Sequence, residues 1–201
     1  MKVKLEGVRL AFVTLDQPRS FTGTDGSTSD PRFSLAAIFE HGSEAAKKIA
    51  AAEVAVAKEK WGEKAGAIYK SLKASGKLAL RDGDGKASYD GFEGNLYIQA
   101  SSKVRPLVID GNRAPIPPGV GTVYSGCYAN LVLDVWAQDN QWGKRINCNV
   151  LGVQFVKDGE RFSQVATASE DDFEPVPGAE STAASIFDDP ASGIDESDPF
   201  G

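Results

Sequence analysis

Thr122-Val123-Tyr124-Ser125-Gly126-Cys127-Tyr128-Ala129-Asn130-Leu131-Val132-Leu133-Asp134-Val135-Trp136 alternates with a period of two. The odd positions from Val123 to Val135 are apolar or small, whereas the even positions place Tyr124, Tyr128 and Trp136 among Asn130 and Asp134. Successive side chains of a strand point to opposite faces, so this spacing predicts a strand with one face in a core and an outward face carrying three aromatics. Two more segments follow the same rule. In Asn95 to Arg105, Leu96, Ile98 and Ala100 point inward while Tyr97, Gln99, Ser101, Lys103 and Arg105 point outward; later, Ile146, Cys148 and Val150 alternate with Arg145, Asn147 and Asn149.

Working outward from these strands, Val3 to Leu15 and Phe33 to Phe39 read as two more, joined by a Gly/Ser/Thr/Asp loop. Apolar parity changes near Gly7, from Val3 and Leu5 to Val8, Leu10 and Phe12, which predicts a bulge there. Residues 43–76 are rich in Ala, Lys and Glu and predict a helix over Glu44 to Lys60, broken near Gly62 before a second. In that second part Trp61, Ala65, Ile68 and Leu72 fall on one face, which assigns Trp61 to the core. The expected fold is mainly β: an OB-type barrel of five or six strands, with a helical insertion at about residues 43–76 and a disordered acidic C-terminal tail. Barrel closure is favoured because it removes exposed strand edges.

The net charge of -6 divides sharply. Residues 1–168 hold all 22 Lys and Arg against 18 acids, giving +4, while residues 169–201 hold ten acids and no base. The tail, interrupted by Pro175, Pro177, Pro190 and Pro199, cannot bury enough apolar surface to offset the entropy of ordering it. We therefore expect a domain at 1–168 and a tail at 169–201. The tail ends in Asp195, Glu196, Asp198, Pro199 and Phe200, an aromatic anchor beside acids. That composition suits docking into a pocket on a basic partner, and also competition with nucleic acid for a basic groove on the body.

No apolar run approaches the roughly 20 residues a membrane span needs, and the first residues lack an apolar signal region. A cytoplasmic protein with no membrane association is expected. Cys127 and Cys148 lack CxxC spacing and read as core residues, and His41 is the single histidine, beside Gly42 near a helix start. These cannot assemble a zinc site. Asp82, Asp84, Asp90 and Glu93 could suggest a metal-dependent nuclease or a calcium loop. However, Lys86 stands where a calcium loop requires Asp or Asn, and interleaved glycines point to a turn-rich loop. No catalytic residue, metal or cofactor is expected.

Flat rings, amides and cations on a sheet face, with no repeated base-reading pattern, are the components of sequence-tolerant single-strand binding. Each stacked base contributes about 1–3 kcal/mol while Lys and Arg follow the phosphates. The stacking candidates are Tyr97, Tyr124, Tyr128, Trp136 and Trp142, and the phosphate candidates are Lys103, Arg105, Arg113, Lys144 and Arg145. An aromatic face that binds another protein is the alternative.

Residues 124–130, Trp142 to Ile146, Val153 to Phe162, Leu80 to Asp84, and Ser101 to Pro106 with Asp110 together resemble the tailed-phage single-stranded-DNA-binding proteins of the Enterobacter phage type, across most of residues 1–173. The resemblance implies an OB-fold core and a role in phage DNA replication or recombination inside the infected host. It also implies a tail that recruits replication proteins such as DNA polymerase. A homodimer stays open. The tail departs from those of other such proteins in that Gly201 follows Phe200, so the aromatic does not carry the terminal carboxylate.

Overall fold

The computed structural model describes residues 1–22 and 26–162. The expected tail at 169–201, its boundary at 168 and the tail residues Asp195, Glu196, Asp198, Pro199 and Phe200 lie outside the described residues. The chain forms β1 (Lys2–Arg19), β2 (Arg32–Glu40), α1 (Glu44–Trp61), α2 (Ala65–Ala74), β3 (Leu80–Asp82), β4 (Asn95–Ser102), β5 (Leu107–Ile109), β6 (Tyr128–Asn140) and β7 (Gly143–Lys157). Strands β1, β2, β4, β7 and β6 pair in that order and return to β1, closing a five-stranded barrel. The closing seam is a parallel contact of β4 with β7 at Ser101 and Asn149. Short β3 extends the sheet beside β4, and β5 runs beside β7.

Closure requires β1 to bend, because it pairs with β6 from Lys2 to Arg9 and with β2 from Arg9 to Arg19. The expected bulge is present: register shifts between Leu5 and Val8, and Gly7 has φ of 60°. A second irregularity between Ala11 and Thr14 corrects the reading of Phe12. Its φ is 49°, which turns the ring out of the barrel, and Val13 and Leu15 then resume the inward face. A left-handed backbone at a bulky residue costs about 1–3 kcal/mol and has to be compensated by its contacts.

The barrel interior is the face that alternation assigns. Leu5, Leu10, Leu35, Ile98, Ala100, Cys127, Leu131, Leu133, Val135, Cys148 and Val150 are buried in one continuous cluster. Truncating Leu131 or Leu133 to Ala would cost about 2–5 kcal/mol. Burial pushes the Cys148 thiol up to about 12, so it behaves as a small apolar side chain.

Helix α1 starts at Ser43, whose Oγ accepts from the Ala46 amide at 3.2 Å, and ends at Gly62, where φ is 53°. His41 lies in the exposed turn before that cap. The apolar stripe Ala46, Ile49, Ala52 and Val56 packs on the barrel. After one 3-10 turn, Ala65 and Leu72 of α2 join the same cluster, with Trp61 and Ile68 packed at its margin. Buried Glu53 accepts from the Leu80 amide (2.8 Å) and from the Tyr69 hydroxyl (3.0 Å), tying the helix to β3.

Candidate nucleic-acid interface

The seam that closes the barrel also makes a groove on its outer surface. Alternation turns Gln99 and Ser101 of β4 outward, and the parallel register sets Ser101 opposite Asn149 of β7. Across the antiparallel β6–β7 hairpin, Trp136 faces Asn147 and Gln138 faces Arg145. Arg32 enters from the start of β2 and Arg81 from β3. Arg32, Arg81, Gln99, Ser101, Trp136, Gln138, Asn147 and Asn149 line one depression with no Asp or Glu among its lining residues. By contrast, the depression at the Gly7 bulge is lined by Glu6, Glu40 and Glu44.

The polar groups of the groove are ordered and partly unspent. The Asn147 amide donates to Gln138 Oε1 at 3.0 Å, leaving the Asn147 oxygen directed elsewhere. Arg81 donates its Nε to the Leu78 carbonyl at 3.2 Å, which fixes the guanidinium and leaves its terminal nitrogens for an anion. Trp136 is 37% exposed and offers its ring beside the amides. Chemically, this is a cradle for phosphates and flat rings with no fixed base-edge pattern.

Two loops border the groove through the chain. Residues 20–31 end at Arg32 and carry Phe21, which is 75% exposed and holds its loop by exchanging hydrogen bonds with Ser29. The β6–β7 turn carries Trp142, 80% exposed, with its amide on Asn140 Oδ1 at 3.0 Å. In OB barrels the faces of the second and third strands and these two loops are where oligonucleotides bind.

Of the residues singled out from sequence, Trp136 lines the groove, Arg145 stands opposite the lining residue Gln138, and Trp142 sits exposed in the turn of the same hairpin. The others have different surroundings. Tyr97 points outward from the barrel but is buried under residues 83–94, with the Phe92 ring 5.1 Å away and the Lys86 ammonium over its face. The Tyr124 hydroxyl donates to Asp158 at 2.8 Å, and Arg161 covers its ring at 3.9 Å. Tyr128 lies between Arg9 and Lys157. Lys103 pairs with Asp30 at 2.8 Å, and that hydrogen bond holds the Asp30 carboxyl below its ordinary range. Arg105 donates to the Leu15 and Ile116 carbonyls, tying β1 to the segment after β5. Arg113 sits in the exposed turn after β5 with φ of 68°. Lys144 pairs with Asp139, whose carboxyl is lowered by that contact and by the Trp61 indole.

The acids of the turn-rich loop have structural work. Asp82 accepts from the Asp84 amide at 3.0 Å and Asp84 from the Gly94 amide at 2.8 Å, so both staple residues 83–94. Arg32, Arg81 and Phe21 were not singled out from sequence as site residues. Arg32 could have been found from the alternation of β2, in which Phe33 and Leu35 point inward.

Residues 1–185 match the sequence profile of a family described as Enterobacter phage Enc34, ssDNA-binding protein. Protein p50 of Acyrthosiphon pisum secondary endosymbiont phage 1 is 40% identical over 182 residues, covering 90% of this chain and 96% of that protein. Among solved structures, the single-stranded DNA-binding protein from bacteriophage Enc34 in complex with ssDNA aligns with a TM-score of 0.65 at 31% identity, covering 81% of this chain and 89% of that one. A single-stranded DNA binding protein encoded by bacteriophage T7 aligns with a TM-score of 0.52 at 9% identity, over 90% of this chain and 98% of that one, a likeness of fold alone.

Proposed function

This chain belongs to the Enterobacter phage Enc34 ssDNA-binding protein family, and we propose that it holds single-stranded DNA, without sequence readout and without catalysis, in the groove at the β4–β7 seam. The observation that carries the reading is the composition of that groove: two arginines, one indole, four side-chain amides and one hydroxyl, with no carboxylate lining it. Phosphates pair with Arg32 and Arg81, and bases stack on Trp136 and on the loop rings Phe21 and Trp142. Arg145, on the same outer face two residues from Asn147, adds charge at the groove's end.

The role belongs to phage DNA replication or recombination in the infected cell. The acidic segment 169–201 acts in two ways: it competes with DNA for the groove, and its Asp195–Phe200 end recruits replication proteins such as a DNA polymerase. Its ten acids against a body of +4 support the first, because a tethered anion is present at high effective concentration.

The test is anisotropy of a labelled oligo-dT with the full chain and with residues 1–168 across a salt series. Binding that weakens steeply with salt, and tightens on truncation most at low salt, is expected. Absence of binding by either form at low salt would instead favour a protein-binding face.

A further inference from the structure

Phe12, Tyr89, Phe92 and Tyr97 form a ring cluster on the outer face of β1, β2 and β4, with ring centroids 5.1 Å apart for Phe12–Tyr89 and 5.4 Å for Phe12–Phe92. Phe92 and Tyr97 are buried and serve packing, but Tyr89 is 49% exposed and Phe12 is only half-buried. The Lys86 ammonium rests on three of these rings, 5.1 Å from Phe12, 5.3 Å from Tyr97 and 5.7 Å from Phe92. Two features of the cluster bear on what it can bind. The backbone at Phe12, at φ 49°, places that ring outward, and the ring beside it, Tyr89, is half exposed. Strained backbone retained at a surface is where ligand contacts concentrate.

The cluster adjoins the groove. Register places Ala11, next to Phe12, beside Ala36, and Ala36 beside Gln99 of the groove floor, a distance of about 10 Å across two strand spacings. Arg81 of the groove is the cross-strand partner of Tyr97, the ring under Lys86. Arg81 and Lys86 are thus both neighbours of Tyr97, and one acid, Asp90, is among the residues lining the depression at Phe12 and Tyr89.

We propose that Phe12 and Tyr89, with Lys86, form a second base-stacking subsite, which takes a nucleobase and an adjacent phosphate from the same strand that lies in the β4–β7 groove. The inference rests on the reading of that groove. Tyr89 supplies the exposed ring, Phe12 packs perpendicular to it, and Lys86 exchanges its contact with the rings for a phosphate oxygen as the strand arrives. A strand too short to leave the groove does not reach the subsite.

The experiment measures affinity of the full chain for oligo-dT of about 4 to about 16 nucleotides, with Tyr89→Ala, Tyr89→Phe and Lys86→Gln, and with Arg81→Gln as a groove control. Tyr89→Ala is expected to weaken the longer strands by roughly five- to a hundred-fold and leave the shortest unchanged. Tyr89→Phe restores wild-type binding. Lys86→Gln lowers the salt slope by about 0.7 on long strands only. Where loss of the ring loosens residues 83–94, seen as a fall in thermal midpoint, Lys86→Gln decides alone. Wild-type affinity of Tyr89→Ala, or of Lys86→Gln in that case, at every length overturns the proposal while Arg81→Gln still weakens binding. Failure of the wild-type chain to bind any strand would instead remove the groove reading itself.

Discussion

Replacing both groove arginines, Arg32→Gln with Arg81→Gln, is expected to change the salt dependence of single-strand binding by a calculable amount. Each phosphate neutralised contributes about 0.7 to the slope of log affinity against log salt for single strands, so two lost contacts flatten the slope by about 1.4. Between 50 and 200 mM salt, a fourfold change, that slope corresponds to a factor of about seven. The double variant should therefore lose about seven times more affinity relative to wild type at the lower salt than at the higher. Glutamine is the right replacement because Arg81 also donates to the Leu78 carbonyl, and an amide can keep a donor near that position. Arg32→Lys with Arg81→Lys preserves both charges and should keep the wild-type slope, while losing the guanidinium's planar fork. Anisotropy titrations of labelled oligo-dT at four or more salt concentrations measure the slope, and thermal midpoints confirm that each variant is folded. An unchanged slope in the Gln variant would refute the assignment of these side chains to phosphates, even if affinity fell at all salts alike.

Two further outcomes test the scaffold. Burial raises the Glu53 carboxyl above its ordinary value, so its ionisation opposes folding, and the stability present while it is protonated is lost as pH rises through the raised value. Glu53→Gln should thus gain on wild type from mildly acidic to neutral pH, by at most about 1.4 kcal/mol per pH unit, in urea unfolding; a gap independent of pH would contradict this. Gly126 has φ of 111°, and a methyl group there would lie 2.0 Å from the Glu160 carbonyl oxygen. Gly126→Ala should destabilise by about 2–4 kcal/mol and free residues 158–162 from the barrel; a loss under about 1 kcal/mol would show that this close approach is relieved by small shifts.

The barrel was legible because its long strands alternate cleanly over a single core. Leu131, Leu133 and Val135 leave no other register that buries them. Even the Gly7 bulge shows as a change of parity. The second irregularity at Phe12 leaves the same kind of mark, since Val13 and Leu15 reverse the parity of Leu10 and Phe12, but which residue takes the positive φ is not readable because Phe rarely adopts one. Strands β3 and β5 have three residues each, too few for a period to show.

The site was half legible, for a different reason. Alternation assigns a side chain to the outer face of a barrel but does not say what lies on that face. Tyr97 is correctly outward, yet residues 83–94 return across it, and that loop reads in sequence only as glycine-rich turn. Lys144 has the inward parity of Ile146 near the tip of the hairpin, and the two-residue turn at Gln141 and Trp142 sets it opposite Asp139, a pairing recoverable from the hairpin register. Arg105 lies past the end of β4, where alternation no longer applies and backbone carbonyls claim it.

These cases bear on how charge acts in the molecule. The body's net +4 is small, and at about 0.1 M salt a charge is felt over only about 10 Å. A strand therefore responds to the cations it touches, not to the total. The seam groove is cationic because acids are missing from its lining, while Lys103 and Lys144 elsewhere are already neutralised by Asp30 and Asp139. The same screening constrains the proposed tail competition. Ten acids in residues 169–201 cannot oppose DNA at a distance, so the competition requires them to enter the groove beside Arg32 and Arg81. The arginine variants that flatten the salt slope of DNA binding should accordingly also shrink the gain from truncating the tail.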